Sequence, residues 1–272
     1  MLQDITIGQY IDTGSFLHRM DSRIKLVITL LFIIELFIID SLEAYGIFSA
    51  FVIFLIWVSK VPVKLLIKGL KPMLFILAFT VVLNVFMVSG NTLWSLDIFG
   101  LFTLKISYEG LRSAVFMAVR LLYLVIGTSL LTLTTTPLML TDGVEMLLKP
   151  FNKIKVPSHE IAMMMTIAIR FIPTLAEETD KIIKAQTARG ADFESGNLMK
   201  RAKAMIPLLV PLFVSAFRRA DDLATAMDSR CYHGGQNRTR MKQLKITAKD
   251  VAALLGVLVL FTGIILAEIF VF

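Results

Sequence analysis

The sequence predicts an all-α integral membrane protein: about five transmembrane helices plus a module of one short and two long helices outside the hydrocarbon. Three observations predict it. Hydrophobic residues make up 56% of the 272, with twenty Phe, and the mean hydropathy of +0.76 exceeds what a soluble domain of this length carries. Five apolar runs approach the roughly 20 residues a helix needs to cross about 30 Å of hydrocarbon. Two further segments change from an apolar front half to a charged back half, and both stop at an arginine between small residues.

The five runs are Ile24 to Ile39, Ala44 to Val58, Met73 to Val88, Ala114 to Leu133 and Val251 to Phe272. Met1 to Tyr10 have no basic stretch followed by an apolar one, so no cleavable signal peptide is expected and the first span does its own targeting. Asp40, Ser41 and Glu43 form an acidic hairpin between the first two spans, and Lys60, Lys64, Lys68 and Lys71 fill the next connection without an acid. The positive-inside rule therefore puts the N-terminus and the lysine connection in the cytoplasm, the acidic hairpin outside, and the chain back inside near Thr134. Five spans leave the C-terminus outside.

Residues 136 to 248 hold nine Lys and eight Arg against eleven Asp and Glu, a net of +6 out of the chain's +7, so this module is cytoplasmic too. Its apolar runs Ile161 to Leu175 and Met205 to Phe217 are too short to span, contain Pro173, Pro207 and Pro211, and continue into polar helix. They read as two long helices along or below the interface. Thr136-Pro137 supplies a cap and a first-turn proline for the short helix ahead of them. The organisation is thus 1–135 for the first four transmembrane helices, 136–248 for the cytoplasmic module and 249–272 for the last transmembrane helix.

The two long helices end alike, at Ala188-Arg189-Gly190 and at Ser229-Arg230-Cys231. Asp180 and Asp221 stand nine positions before these arginines, and Ala185 and Ala226 four before. Gly190 suits the left-handed residue that closes a helix, and the C-terminal carbonyls favour a cation beside them. Each guanidinium is then placed for a bidentate bond to a facing carboxylate. A single arginine at such a place is more often only a cap for its own helix; repetition in register argues for docking. Cys231 is a poorer left-handed residue than glycine, so the second helix is expected to end somewhat differently.

The apolar halves offer a second surface: Met163, Met164, Met165, Ile167 and Ile169 on one helix, and Leu208, Leu209, Val210, Leu212 and Phe213 on the other. Methionine repacks easily and suits exchangeable partners; facing lipid or their own bundle is the plainer account of any one of these positions. Within the spans, Glu35, Asn84 and Arg120 need partners, and similar depths suggest a structural Glu35–Arg120 ion pair, with a protonated relay role for Glu35 as the alternative.

Several function classes are disfavoured. A lysine-rich membrane protein reaches +7 without nucleic acid. A single Cys precludes an internal disulfide, and no Cys/His cluster has metal-ligand spacing. No Gly-rich phosphate loop is present, so ATP binding in this chain is not expected. A membrane-embedded enzyme would need more than the scattered His18, His159 and His233, or a second acidic cluster to join Asp221-Asp222. A self-contained carrier would need inverted repeats or interrupted spans at midplane.

Nearly the whole chain resembles the transmembrane T component of energy-coupling-factor (ECF) transporters. The resemblance rests on His18-Arg19-Met20-Asp21-Ser22-Arg23-Ile24-Lys25-Leu26, Thr134-Thr135-Thr136-Pro137, Arg170-Phe171-Ile172-Pro173-Thr174-Leu175, Ala185-Gln186-Thr187-Ala188-Arg189-Gly190 and Ala226-Met227-Asp228-Ser229-Arg230-Cys231-Tyr232. Ser22 stands where the family usually has proline, and Cys231 where it usually has glycine. The resemblance implies a non-catalytic scaffold in a prokaryotic cell membrane whose two long, crossed helices are coupling helices. It implies two ATPase subunits that hold the ATP and Mg and grip Ala188, Arg189, Gly190, Ser229, Arg230 and Cys231. It further implies a separate substrate-binding S component, for a vitamin or transition-metal ion, carried on Met163, Met164, Met165, Ile167, Leu208, Leu209, Leu212 and Phe213.

Overall fold

The computed structural model describes residues 10–88, 90–98, 102–154, 156–193, 197–234 and 245–270. Contacts divide the chain into two compact units, Gly8–Gly143 with Leu244–Phe272, and Val144–Gln243 with Met1–Ile7. The division falls inside the short helix expected after Thr136, because the first part of that helix packs on the bundle.

In the first unit, α1 (Phe16–Arg19), α2 (Ser22–Ile38), α3 (Leu42–Ser59), α4 (Val63–Leu70) and α5 (Leu74–Met87) lead to a two-stranded ribbon, β1 (Thr92–Ile98) and β2 (Phe102–Ser107). Then come α6 (Tyr108–Thr134), α7 (Pro137–Leu148) and, after the second unit, α10 (Ala248–Phe270). Among the described residues, four helices are long and apolar enough to cross a membrane: Leu42–Ser59, Val63–Met87, Tyr108–Thr134 and Ala248–Phe270. The first expected span, α2, is apolar and 17 residues long, which at 1.5 Å per residue reaches about 26 Å.

Two local expectations change. The lysine connection is not a loop: Lys64 and Lys68 lie on α4, and a 3-10 turn at Lys71–Met73 joins it to α5 as one helical run. Leu66 is buried while both lysines are exposed, so α4 is amphipathic. The ribbon was also not foreseen. Its signal is period-two alternation, Trp94, Leu96 and Ile98 against Ser95 and Asp97, then Phe102, Leu104 and Ile106; the strands pair antiparallel, Leu96 opposite Leu104.

The bundle core is aromatic. Phe48 of α3 is fully buried, with the rings of Phe32 (4.9 Å), Tyr123 (5.9 Å), Phe261 (6.1 Å) and Phe51 (6.3 Å) around it, so α2, α3, α6 and α10 meet on one side chain. Close approach depends on small residues: a Cβ added at Gly127 of α6 would come within 2.4 Å of the Phe32 ring.

The N-terminal motif is a knot that fixes the start of α2. His18 is buried; Nε2 faces the Ile11 carbonyl at 2.7 Å and so donates to it, and Nδ1 shares a hydrogen bond with the Ser15 hydroxyl at 2.6 Å. Asp21 caps α2 by accepting from the Arg23 backbone N–H at 2.9 Å and binds the Arg23 guanidinium through both carboxylate oxygens. Burial opposes the charge on Asp21, but the Arg23 hydrogen bonds and the charges of Arg23 and Lys25 outweigh it and hold the carboxyl below its usual range. Lys25 donates to the Thr134 carbonyl (3.0 Å) and the Thr135 hydroxyl (3.1 Å), joining two motifs that stand 109 residues apart. Thr136 then caps α7 through the Met139 N–H at 3.3 Å, with Pro137 opening the helix as expected.

Candidate functional site: the paired helix tips

The second unit is built on α8 (Ser158–Ala188) and α9 (Leu198–Asp228), each 31 residues long. Both helices pass their internal prolines without ending. Their C-termini close with the same hydrogen bonds. At the first, the Gly190 N–H donates to the Thr187 carbonyl (2.9 Å) and the Ala191 N–H to Gln186 (3.0 Å). At the second, Cys231 donates to Asp228 (2.9 Å) and Tyr232 to Met227 (3.1 Å). This is the Schellman pattern in both cases, with the left-handed residue Gly190 (φ 89°) in one and Cys231 (φ 54°) in the other. The second helix therefore does not end differently. Cys231 accepts the left-handed conformation, at a cost of about 1–2 kcal/mol for an L-residue.

The shared geometry puts Arg189 and Arg230 at equivalent places, each immediately before its left-handed residue. Both side chains are exposed, and neither makes a hydrogen bond or ion pair among the described residues. Ala185, Ala188 and Gly190 on one tip and Ala226, Ser229 and Cys231 on the other are exposed as well, so both arginines stand among small, exposed neighbours. The Ser229 hydroxyl is spent on the Thr225 carbonyl at 2.8 Å.

One joint escaped the sequence reading. Arg219 of α9 donates to Glu178 of α8 at 2.8 Å. Glu178 stands eleven residues before Arg189, and Arg219 eleven before Arg230, so the helices meet at matching positions. Each tip then lies about 16 Å along its own helix from the joint. A hydrogen bond from Ser215, against some burial, together with the hydrogen bond and charge of Arg219, holds the Glu178 carboxyl below its ordinary value. The available signal was the seam of covered residues Leu208, Leu212, Ser215, Arg219 and Leu223 at helical spacing on α9.

The apolar halves divide by face. Met164, Met165, Leu209, Val210 and Phe213 are exposed; Met163, Ile167, Ile169 and Leu212 are half-covered. Leu208, expected on the open surface, is buried on the seam side instead, since a helix turns positions four apart to one face. The exposed stripe is longer than expected: Met205, Ile206, Val214 and Phe217 extend it along α9.

Residues 13–241 match the family described as "CbiQ: Cobalt transport protein". The chain belongs to this family. Proteins named energy-coupling factor transporter transmembrane protein EcfT match it end to end. Identity is 54% with that of Thermosediminibacter oceani, covering 98% of this chain and 99% of the relative. It is 55% with that of Clostridium kluyveri (99% and 98%) and 45% with that of Bacillus subtilis (96% and 97%). The chain is thus a transmembrane T component of the ECF type.

In this T component the expected Glu35–Arg120 pair does not form. The Arg120 guanidinium donates to Asp40 (3.0 Å), the Ile39 carbonyl (3.0 Å) and the Tyr45 hydroxyl (3.2 Å), and lies over the Phe37 ring. Its long side chain reaches past the apolar interior to the polar hairpin, where charge is better solvated. Glu35 is buried and its Oε1 has no hydrogen-bond partner among the described residues. Asn84 bonds the Thr80 carbonyl of its own helix at 2.9 Å. Among the described residues there is no group of three or more His, Cys, Asp or Glu that could hold a metal ion.

Proposed function

We propose that this T component is the non-catalytic coupling subunit of an ATP-driven importer. Its two arginine tips dock on two cytoplasmic ATPase subunits, which hold the ATP and Mg, and its exposed apolar stripe carries a substrate-binding S component for a vitamin or a transition-metal ion. The N-terminus and the α8–α9 unit face the cytoplasm of a prokaryotic cell, as the lysine distribution favours. The observation that carries the reading is the matched pair of Schellman ends, each presenting an exposed arginine that has no partner among the described residues. An arginine that only capped its own helix would need neither the repeat nor the equal distance from the Glu178–Arg219 joint.

The mechanism follows from stiffness. Helices transmit rather than absorb a displacement, so movement of two ATPase subunits on nucleotide binding would shift the tips relative to one another, and the joint would pass that shift to the apolar halves. Each arginine entering a carboxylate-lined groove forms a charge-assisted, bidentate bond that lysine cannot copy. Replacing one arginine should cost on the order of 3 to 5 kcal/mol at its contact. Coexpression with the ATPases tests this: the Arg189→Ala, Arg230→Ala double variant should remain in the membrane but lose the ATPases on purification and lose transport. Full recovery of both would overturn the assignment.

A further inference from the structure

A cavity of about 580 Å³ lies inside the bundle unit, bounded by α1, α2, α3, α6 and α10. Its wall is almost wholly apolar, with Ile28, Phe32, Phe51, Leu130 and Leu260 among the lining residues, and its two basic residues, Lys25 and Lys249, lie at one end of the bundle. That end is marked by the starts of α2 and α10 and the ends of α3 and α6, where Val58 and Thr134 also line it. The wall extends along α10 from Lys249 to Leu260, eleven residues or about 16 Å. This is about half the roughly 30 Å hydrocarbon thickness of a bilayer.

The two lysines differ. The ammonium of Lys25 is committed to Thr134, Thr135 and the His18 carbonyl. Lys249 is exposed and makes no hydrogen bond or ion pair among the described residues. The neighbouring Asp250 forms no ion pair with it: that carboxylate accepts from the Thr247 N–H and hydroxyl at 2.9 and 2.8 Å, and its charge acts on Lys25. The trough itself is open at Gly256, where an added Cβ would meet nothing within 4 Å.

We propose that this cavity binds one anionic phospholipid, an acyl chain lying along the α10 trough and the headgroup phosphate on Lys249. A charge-bearing mouth above a hydrocarbon-lined pocket as deep as one leaflet has the shape and polarity of a lipid. The volume falls in the range of small-molecule sites, and one basic side chain at headgroup level favours an anionic over a zwitterionic lipid about fivefold. The inference is independent of what the helix tips bind.

Native mass spectrometry of the delipidated full-length protein, titrated with phosphatidylglycerol or phosphatidylcholine, tests it. Wild type should retain one phosphatidylglycerol per chain with about fivefold preference. Lys249→Gln, at an exposed site that leaves the fold alone, should erase that preference. Gly256→Phe and Ala253→Leu should displace either lipid while the protein still elutes as a single species. Equal retention of the two lipids by wild type, or a preference that survives Lys249→Gln, overturns the headgroup assignment. Retention unchanged in properly folded filling variants overturns the cavity assignment, as does a photo-crosslinker at Ala252 that captures a polypeptide in the intact transporter.

Discussion

The bundle and the α8–α9 unit solve opposite problems. In the bundle, Lys25 is answered by Thr134 and Thr135, His18 by Ser15 and Ile11, and Arg120 by Asp40 and Tyr45, while the Ser22 hydroxyl and Glu35 Oε1 are buried without a hydrogen-bond partner among the described residues. Among the described residues of the other unit only Ser158, Ala162 and Leu208 are buried, an apolar stripe lies open along α9, and Arg189 and Arg230 have no partner among those same residues. The difference teaches where stability and function reside. The first region spends its side chains on itself, and the second holds its side chains out.

The strongest way to break that comparison is to empty the bundle core. Phe48→Ala should lower stability by about 3–5 kcal/mol, read as earlier unfolding in a denaturant titration in detergent micelles. A loss under about 1 kcal/mol would show that the aromatic cluster does not hold the bundle. The tips should respond in the opposite sense. Cys231→Gly removes the strained left-handed cysteine and should stabilise the end of α9 by about 1 kcal/mol, seen as slower amide exchange in the last turn; no change would mean that Cys231 carries no strain and that the two ends are already energetically alike.

A smaller gain is expected at the start of α2. Ser22 occupies the first helical position, is buried, and its hydroxyl has no hydrogen-bond partner among the described residues. Asp21 before it has φ −59° and ψ 132°, the extended conformation a following proline requires. Ser22→Pro should therefore add about 0.5–1 kcal/mol, measured as a higher melting temperature, unless the ring strikes Gly143, whose added Cβ would already lie 2.9 Å from the Ser22 hydroxyl. A lower melting temperature would show that the α2–α7 contact decides this position.

The least effect on stability belongs to the joint. Glu178→Gln should cost only about 0.2–1 kcal/mol, because the pair is partly solvated. Since the Glu178 carboxyl is held below its ordinary value of 4.5, its contribution is present at neutral pH and is lost as pH falls below that value. A spin-label distance between α8 and α9 that broadens on acidification in wild type but not in Glu178→Gln would confirm the sign; equal broadening in both would place the titrating group elsewhere.

Legibility followed the range of the interaction. The repeat of the helix tips was visible as spacing alone and the Gly190 end was readable because capping depends on three or four neighbours, whereas the expected difference at Cys231 did not appear, since an L-residue can take the left-handed conformation when the rest of the cap is in place. Arg120 was misassigned because depth along a span narrows the choice of partner but does not fix it, and a long side chain can reach a hairpin several residues away. Leu208 was misplaced because both faces of α9 are apolar near Met205 to Phe217, so composition could not say which face was covered. The ribbon's alternation was present but lay in a short apolar stretch between two spans.

By itself the sequence determined a helical membrane protein with two matched, arginine-ended helices, because hydropathy, periodicity and caps are local properties of a chain. Only the tertiary structure decided that Lys25 clasps Thr134 and Thr135, that Arg120 takes Asp40 over Glu35, and that α8 and α9 join at Glu178 and Arg219. Each of these pairs residues 40 or more positions apart, and such a choice is made by competition among all the groups that packing brings within reach.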